Sequence, residues 1–514
     1  MMIIILIVVF SIASVNASDD NSAEISLTQD DTDLGDRSSE LENHINDAQD
    51  NEEIILDPGT YYLHNITLTK NLTFAGNGNP RDIIIDGENK DSIFLIRSDA
   101  VHVSFKNITF INANVKGFGG AISMETGHVN VDNCIFANNT ASVNAGGISN
   151  YGTEENRGEL HVSNSLFINN HGDHDGGAIT TCYADSYINN CVFINNSAHR
   201  DGGAIRVSVK GYGDVEDCIF MFNHADEWGG AYYSWSGTSN INRCIFLNNT
   251  AGTNGGAVMV SGNINLENSI IMNNNGGETG GSFYIQQPMY DATTIINIHD
   301  NLITNNSSPY GKEIFIKWND TQHLFTKFND NDWGDEDPND PSVIDPDHVT
   351  KRSKVTSTIK SNLLNILNLG LLTRYSDLLE GYFPEGYLDK VKSDLEKNND
   401  VNPNNHNPNN HDPNNMKTPD ITPSKEMLKS NGSDEKINEN MNIDSGTFVD
   451  HNPSNSSVIS GNSTIHGENE KAYELNESNS VKKESSLDFR VFITLLAIIF
   501  ILLAIGYKRH EKEE

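Results

Sequence analysis

Asn133-Cys134-Ile135-Phe136-Ala137-Asn138-Asn139 returns as Asn190-Cys191-Val192-Phe193-Ile194-Asn195-Asn196, and variants of it run from Asn164 to Asn170, Asp217 to Asn223, Arg243 to Asn249 and Asn268 to Asn274, with a degenerate copy from Asp300 to Asn306. Between these copies lies a second element, Gly-Gly followed by a small or apolar residue. It reads Gly119-Gly120-Ala121-Ile122, Gly146-Gly147-Ile148, Gly176-Gly177-Ala178-Ile179 and Gly202-Gly203-Ala204-Ile205, then continues at Gly229-Gly230, Gly255-Gly256 and Gly280-Gly281. A unit this short holds only brief β-prone runs broken by Gly and Asn, with no room for a helix of ordinary length. It cannot bury its apolar side chains alone but forms a continuous core when stacked on copies of itself.

The resulting fold class is all-β, a right-handed parallel β-helix of about ten coils at roughly 4.8 Å per coil. Gly-Gly permits positive φ and close approach of successive coils, while the paired Asn residues tolerate left-handed turns and can bond to the Asn one coil away. Phe136, Phe167, Phe193, Phe220 and Phe246 should then stack inside. Upstream, strand-like runs at Glu53 to Leu56, Tyr61 to Leu68, Leu72 to Phe74, Ile83 to Ile85, Phe94 to Ile96 and Val101 to Phe110 extend the rod towards the N-terminus. Ser39-Glu40-Leu41-Glu42 reads as a capping box opening a short helix, with Leu41, Ile45 and Ala48 on the side that covers the end of the stack.

These motifs resemble the repeats of chlamydial polymorphic outer membrane proteins. They are more similar to those of the adhesin-like surface proteins of methanogenic archaea, where a lead-in like Ile55-Leu56-Asp57-Pro58-Gly59-Thr60-Tyr61 precedes the repeats and an element like Asp332-Trp333-Gly334 closes them. The resemblance covers about residues 50 to 340. It implies a β-helix at a cell surface and brings no catalytic set with it.

The flanking segments carry their own signals. Residues 1–17 read as a signal peptide, with an apolar start and small residues ending in Val15-Asn16-Ala17. Residues 18–52 are the N-terminal cap, 53–340 the β-helix and 341–398 a helical spacer built on Leu363, Leu364, Ile366, Leu367, Leu371 and Leu372. Residues 399–488 form an Asn/Pro- and Ser-rich stalk too polar to fold. Residues 489–507 are apolar enough for a transmembrane helix, and 508–514 make a cytoplasmic tail in which Lys508, Arg509 and Lys512 place the body outside the cell. The stalk sequons Asn431, Asn455, Asn462 and Asn476 are glycosylation candidates.

Lys plus Arg number 34 against 71 Asp plus Glu, a formal charge of −37, which sets the chain against nucleic acid as a partner. Cys134, Cys191, Cys218 and Cys244 share one slot of the repeat, where in-register stacking holds Cβ atoms farther apart than a disulfide favours. They read as reduced packing residues; Cys182 lies outside that slot, and a bond to it stays open.

The row just before each Gly-Gly pair varies most: His174 and Asp175, then Arg200 and Asp201, then Asp226, Glu227 and Trp228. Asp175 and Asp201 occupy one slot in successive coils and should lie side by side, as carboxylates must to bind a cation or share a proton. Three readings of the row stand open: a solvated turn, a ligand or Ca2+ site, and an acid–base pair. No cofactor other than Ca2+ is implied. The parts together read as a cell-surface adhesin-like protein that attaches to glycans or surface proteins of other cells and is held in its own membrane by the C-terminal helix. A structural envelope component and an extracellular polysaccharide lyase or hydrolase are the alternatives.

Overall fold

The computed structural model describes residues 37–287, 294–317, most of 324–344 and the pair Arg374–Tyr375. The signal peptide, the stalk with its four sequons, the transmembrane helix, the cytoplasmic tail and nearly all of the helical spacer lie outside the described residues, as does the cap before Arg37. Among the described residues no helix is long and apolar enough to cross a membrane.

Short strands alternate with tight corners to build a parallel β-solenoid with a 19-stranded, a ten-stranded and a seven-stranded sheet. Each strand pairs in parallel with its counterpart one coil on. The solenoid makes about nine turns, slightly fewer than the repeat spacing predicts. Phe136, Phe167, Phe193, Phe220 and Phe246 occupy one register position, which Ile271 and Ile303 then continue. Their rings stack inside with centroids 4.6 to 5.0 Å apart, and Phe110 adds a ring below Phe136 at 4.8 Å. Offset stacking of this kind adds about 1 kcal/mol per pair beyond burial.

The two Asn residues of each copy divide the work. The first takes the left-handed corner, with φ 58° at Asn138, 55° at Asn169 and 52° at Asn195. The second turns inward and is fully buried. There each side-chain oxygen accepts both the backbone N–H and the Nδ2 of the Asn one coil earlier, as in Asn196 to Asn223 (3.0 and 3.0 Å) and Asn223 to Asn249 (3.0 and 3.0 Å). The amide column runs from Asn139 to Asn306 and ends on Glu313, whose carboxylate accepts from Asn306 N (3.3 Å) and Nδ2 (2.7 Å). A directional column needs a pure acceptor at its last step, and a carboxylate is one. Burial nonetheless pushes Glu313 up to about 7, outweighing the two donors that favour its charged form.

The glycine pairs divide similarly. The first has positive φ (67° at Gly119, 66° at Gly202), and a Cβ on the second would come within 2.2 Å of the carbonyl oxygen one coil on, as Gly203 would with Gly230. The register corrects one expected pair. Asn144 bridges Asp175, so Ala145-Gly146, not Gly146-Gly147, fill the Gly-Gly slot, and Ala145 is forced to φ 61°. Phe222 is likewise held at φ 56° where other copies have Asn.

Helix α1 (Ser38–Asp47) forms with Leu41 and Ile45 buried, and Ala48 just beyond it, as expected. The capping box does not form: Arg37 is the N-cap and no side chain caps the helix. Ser38 instead accepts the Tyr62 N–H at 2.7 Å, tying the helix to the first coil. The expected strand from Tyr61 to Leu68 breaks at Asn65 (φ 58°), and that from Val101 to Phe110 breaks at Asn107 (φ 56°), because the solenoid must turn there. All five cysteines are free and buried; burial pushes Cys134 up to about 12, so it stays a thiol.

Candidate functional site

Asn144, Asp175, Asp201, Trp228, Asn254, Thr279 and Tyr310 form successive parallel bridges along the corner before the Gly-Gly pairs. The expected juxtaposition of Asp175 and Asp201 is therefore present. Their surroundings differ from a solvated turn: Asp175 is 2% and Asp201 1% exposed. The reason lies on the next strand. Ile205–Ser208 points Ile205 and Val207 into the core, and alternation turns Arg206 outward beneath the corner row.

Arg206 is itself buried and holds Asp175 Oδ2 at 2.5 Å, while Arg200 approaches Asp175 at 3.3 Å and Asp201 at 3.6 Å. Tyr233 and Trp235, one coil on, lie 5.8 and 5.3 Å from the Arg206 guanidinium, and Trp228 meets Tyr233 edge-on at 6.2 Å. Asp201 is pushed well above the usual carboxylate range, by burial first and by the Asp175 charge second, against the pull of Arg206 and Arg200. Its Oδ1 is buried with no hydrogen-bond partner. The arrangement is a cluster of two buried carboxylates, the buried Arg206 guanidinium and the partly exposed Arg200, under an aromatic rim. A cation placed between the carboxylates would have to displace two fixed positive groups, and neither carboxylate faces solvent as a free acid or base.

The remaining row residues separate. His174 is exposed. Asp226 faces away from the cluster, bonded to His224 at 2.9 Å and paired with His199 at 2.7 Å, and the His224 hydrogen bond holds it below the usual carboxylate range. Glu227 is half-buried and acts on Asp201 only through its charge. Of the nearby aromatics, Tyr232 and Tyr233 are buried while Trp228 and Trp235 remain partly open.

Sequence reasoning missed Arg206, whose lone charge in the apolar run Ala204-Ile205-Arg206-Val207 was the available signal. It also missed a row on the same 19-stranded sheet. His161 stacks on Tyr187 at 4.7 Å, Tyr212 meets Tyr187 at 5.9 Å with its ring tilted by 58°, and Tyr212 accepts from Asn240 at 2.8 Å. His161, Tyr187, Asp214 and Asn240 fall in one register column although the sequence spaces them by whole coils, and Tyr212 lies two residues along, paired with Asp185. Arg157 pairs with Asp185 beside them. Farther along, Glu267, His299 and Asp300 bring one ligand atom each within 4.8 Å of one another, a grouping that could hold a metal ion.

The Chlamydia polymorphic membrane protein repeat matches residues 190–208 and 243–261. The first match contains Arg200, Asp201 and Arg206. No curated protein matches the chain. Among solved structures, a PL6 alginate lyase in complex with a trisaccharide is similar at 12% identity and a TM-score of 0.31, over 62% of this chain and 86% of the other. The PL6 polysaccharide lyase of Pseudopedobacter saltans is similar at 10% identity and 0.30, over 63% and 96%. The A-module of an Azotobacter vinelandii mannuronan C-5 epimerase is similar at 13% identity and 0.26, over 57% and 95%. No residue role is carried over from these three.

Proposed function

We propose that the chain is a cell-surface, adhesin-like protein whose solenoid presents the outer face of its 19-stranded sheet to glycans or to surface proteins of other cells. The observation that supports this most is the group of rings on that face, His161 stacked on Tyr187 and Tyr212 tilted against it, with the partly open Trp235 on the same sheet. Flat, half-exposed rings with polar edges suit the apolar faces and hydroxyl edges of sugars, and stiff side chains lose little entropy on binding. The match to a repeat named for a membrane protein of Chlamydia supports a surface location. The C-terminal membrane anchor, the glycosylated stalk and the kinship with archaeal adhesin-like proteins belong to the same proposal, as does Ca2+ as an optional ligand.

An attachment role fits the ridge better than hydrolysis does, because glycosidic cleavage needs two carboxylates open to substrate and Asp175 and Asp201 are closed by Arg206 and Arg200. The test is binding of the purified chain to a glycan array and to whole microbial cells, with and without Ca2+, beside Tyr187→Ala/Tyr212→Ala and Trp228→Ala. Specific binding weakened about tenfold by the double variant supports the proposal. Degradation of an arrayed polysaccharide by the wild-type chain would replace it with the lyase reading. Silence towards every glycan and cell, with self-association into arrays, would leave the structural envelope role.

A further inference from the structure

The ten-stranded sheet carries a second apolar stripe, on its outside. In each of its three-residue strands the middle residue enters the column of Phe and Ile, so alternation turns the two flanking residues outward: Ile135 and Ala137, Leu166 and Ile168, Ile245 and Leu247. Outward residues of a lone solenoid face water. These are 0 to 3% exposed, and they form a cluster separate from the interior core. Tyr375, far beyond the rod in sequence, belongs to that cluster: it is 4% exposed and donates its hydroxyl to the Asn164 carbonyl at 2.7 Å. Its neighbour Arg374 donates to the Asn133 side chain.

Two fixed points bracket the chain between. Ile344 bridges Ile314 at the last coil, whereas Tyr375 sits at the coil of Asn164 and Leu166. From the Leu302 strand back to the Leu166 strand is five steps of pairing, roughly 24 Å at about 4.8 Å each. The 29 residues between Ile344 and Arg374 reach roughly 44 Å even as an unbroken helix at about 1.5 Å per residue. They are long enough for the return, and they carry Leu363, Leu364, Leu367 and Leu371 at helical spacing on one side.

We infer that the segment from 345 to 375 docks back along the outside of the ten-stranded sheet, antiparallel to the growth of the rod, with its leucines on the outward apolar stripe and Tyr375 as its terminal anchor. The stripe is then an internal docking surface, not one for other cells, and this leaves the 19-stranded sheet as the free broad face.

Hydrogen exchange on the full chain tests this. Amides of 363–375 should exchange at least about tenfold more slowly than in the free peptide, independently of protein concentration, and lose that protection in Leu367→Asp/Leu371→Asp while the coils keep theirs. The variant should also bind a hydrophobic dye that the wild type excludes. Exchange of 363–375 at the free-peptide rate in the wild type overturns the inference. Protection that appears only at concentrations where sedimentation shows dimers overturns it in favour of a second copy covering the stripe. Tyr375→Phe, which removes only the bond to Asn164, should raise exchange locally without exposing the stripe, and so separates anchor from packing.

Discussion

Replacing Asn223 by Ala cuts the amide column in its middle. Four bonds near 3.0 Å go: Nδ2 to Phe193 O and to Asn249 Oδ1, and the two that Oδ1 accepts from Asn196 N and Nδ2. Asn249 Oδ1 keeps the backbone N–H of residue 223, and Asn196 Nδ2 keeps Phe167 O. The Asn196 backbone N–H is left buried and unpaired. One orphaned donor costs about 2 kcal/mol, and the other lost bonds add up to about 1 kcal/mol each, so the expected loss is about 4 kcal/mol. Asn195→Ala is the control. It is exposed, makes a side-chain bond to Asn169 at 2.8 Å and holds φ 52°, so it should cost only about 1 to 2 kcal/mol for the left-handed backbone. Because coils contact only their neighbours, the damage should be local. Urea unfolding gives the total, and hydrogen exchange should show coils on either side of Asn223 opening before the ends of the rod. Equal losses for the two variants would refute the view that the inner Asn carries the column and the outer one only turns the corner.

The same geometry carries further expectations. Glu313 is held above its unfolded value of 4.5 at about 7; the folded state keeps its proton longer, so this contribution is complete below about pH 4.5 and is lost as pH rises through 7. It amounts to about 3 kcal/mol, and Glu313→Gln should flatten that part of a stability–pH curve. Asp201 shifts in the same direction, so Asp201→Asn should likewise make stability less sensitive to rising pH, measured by thermal melts across pH. Arg206→Met leaves Asp175 with only the longer contact to Arg200 and should destabilise by about 3 kcal/mol in urea titrations. Ala145→Gly relieves a left-handed alanine at a slot where other coils use Gly, and should raise stability by about 1 kcal/mol.

The repeat made the coil legible because its two motifs each meet a hard local demand. Only Gly survives a Cβ that would lie 2.2 Å from the next coil's carbonyl, and only Asn serves both a left-handed corner and a two-donor, one-acceptor column. The aromatic column, the reduced cysteines and the pairing of Asp175 with Asp201 came from register alone, since equal slots in successive coils must be neighbours. What the sequence could not decide was which neighbours come from other slots. Arg206 lies in its own strand motif, yet it pairs with a carboxylate of the preceding coil, and that contact makes the Asp175–Asp201 stretch of a row the sequence left open a buried ion cluster. The one-residue slip at Ala145 was hidden because Gly147 imitates the motif; only hydrogen bonding to the coils on either side sets the register. Ile135-Phe136-Ala137 was apolar without a break, the mark of a strand covered on both faces, but its covering comes from a residue as distant as Tyr375, and contacts between segments so far apart are fixed by tertiary packing, not by local spacing.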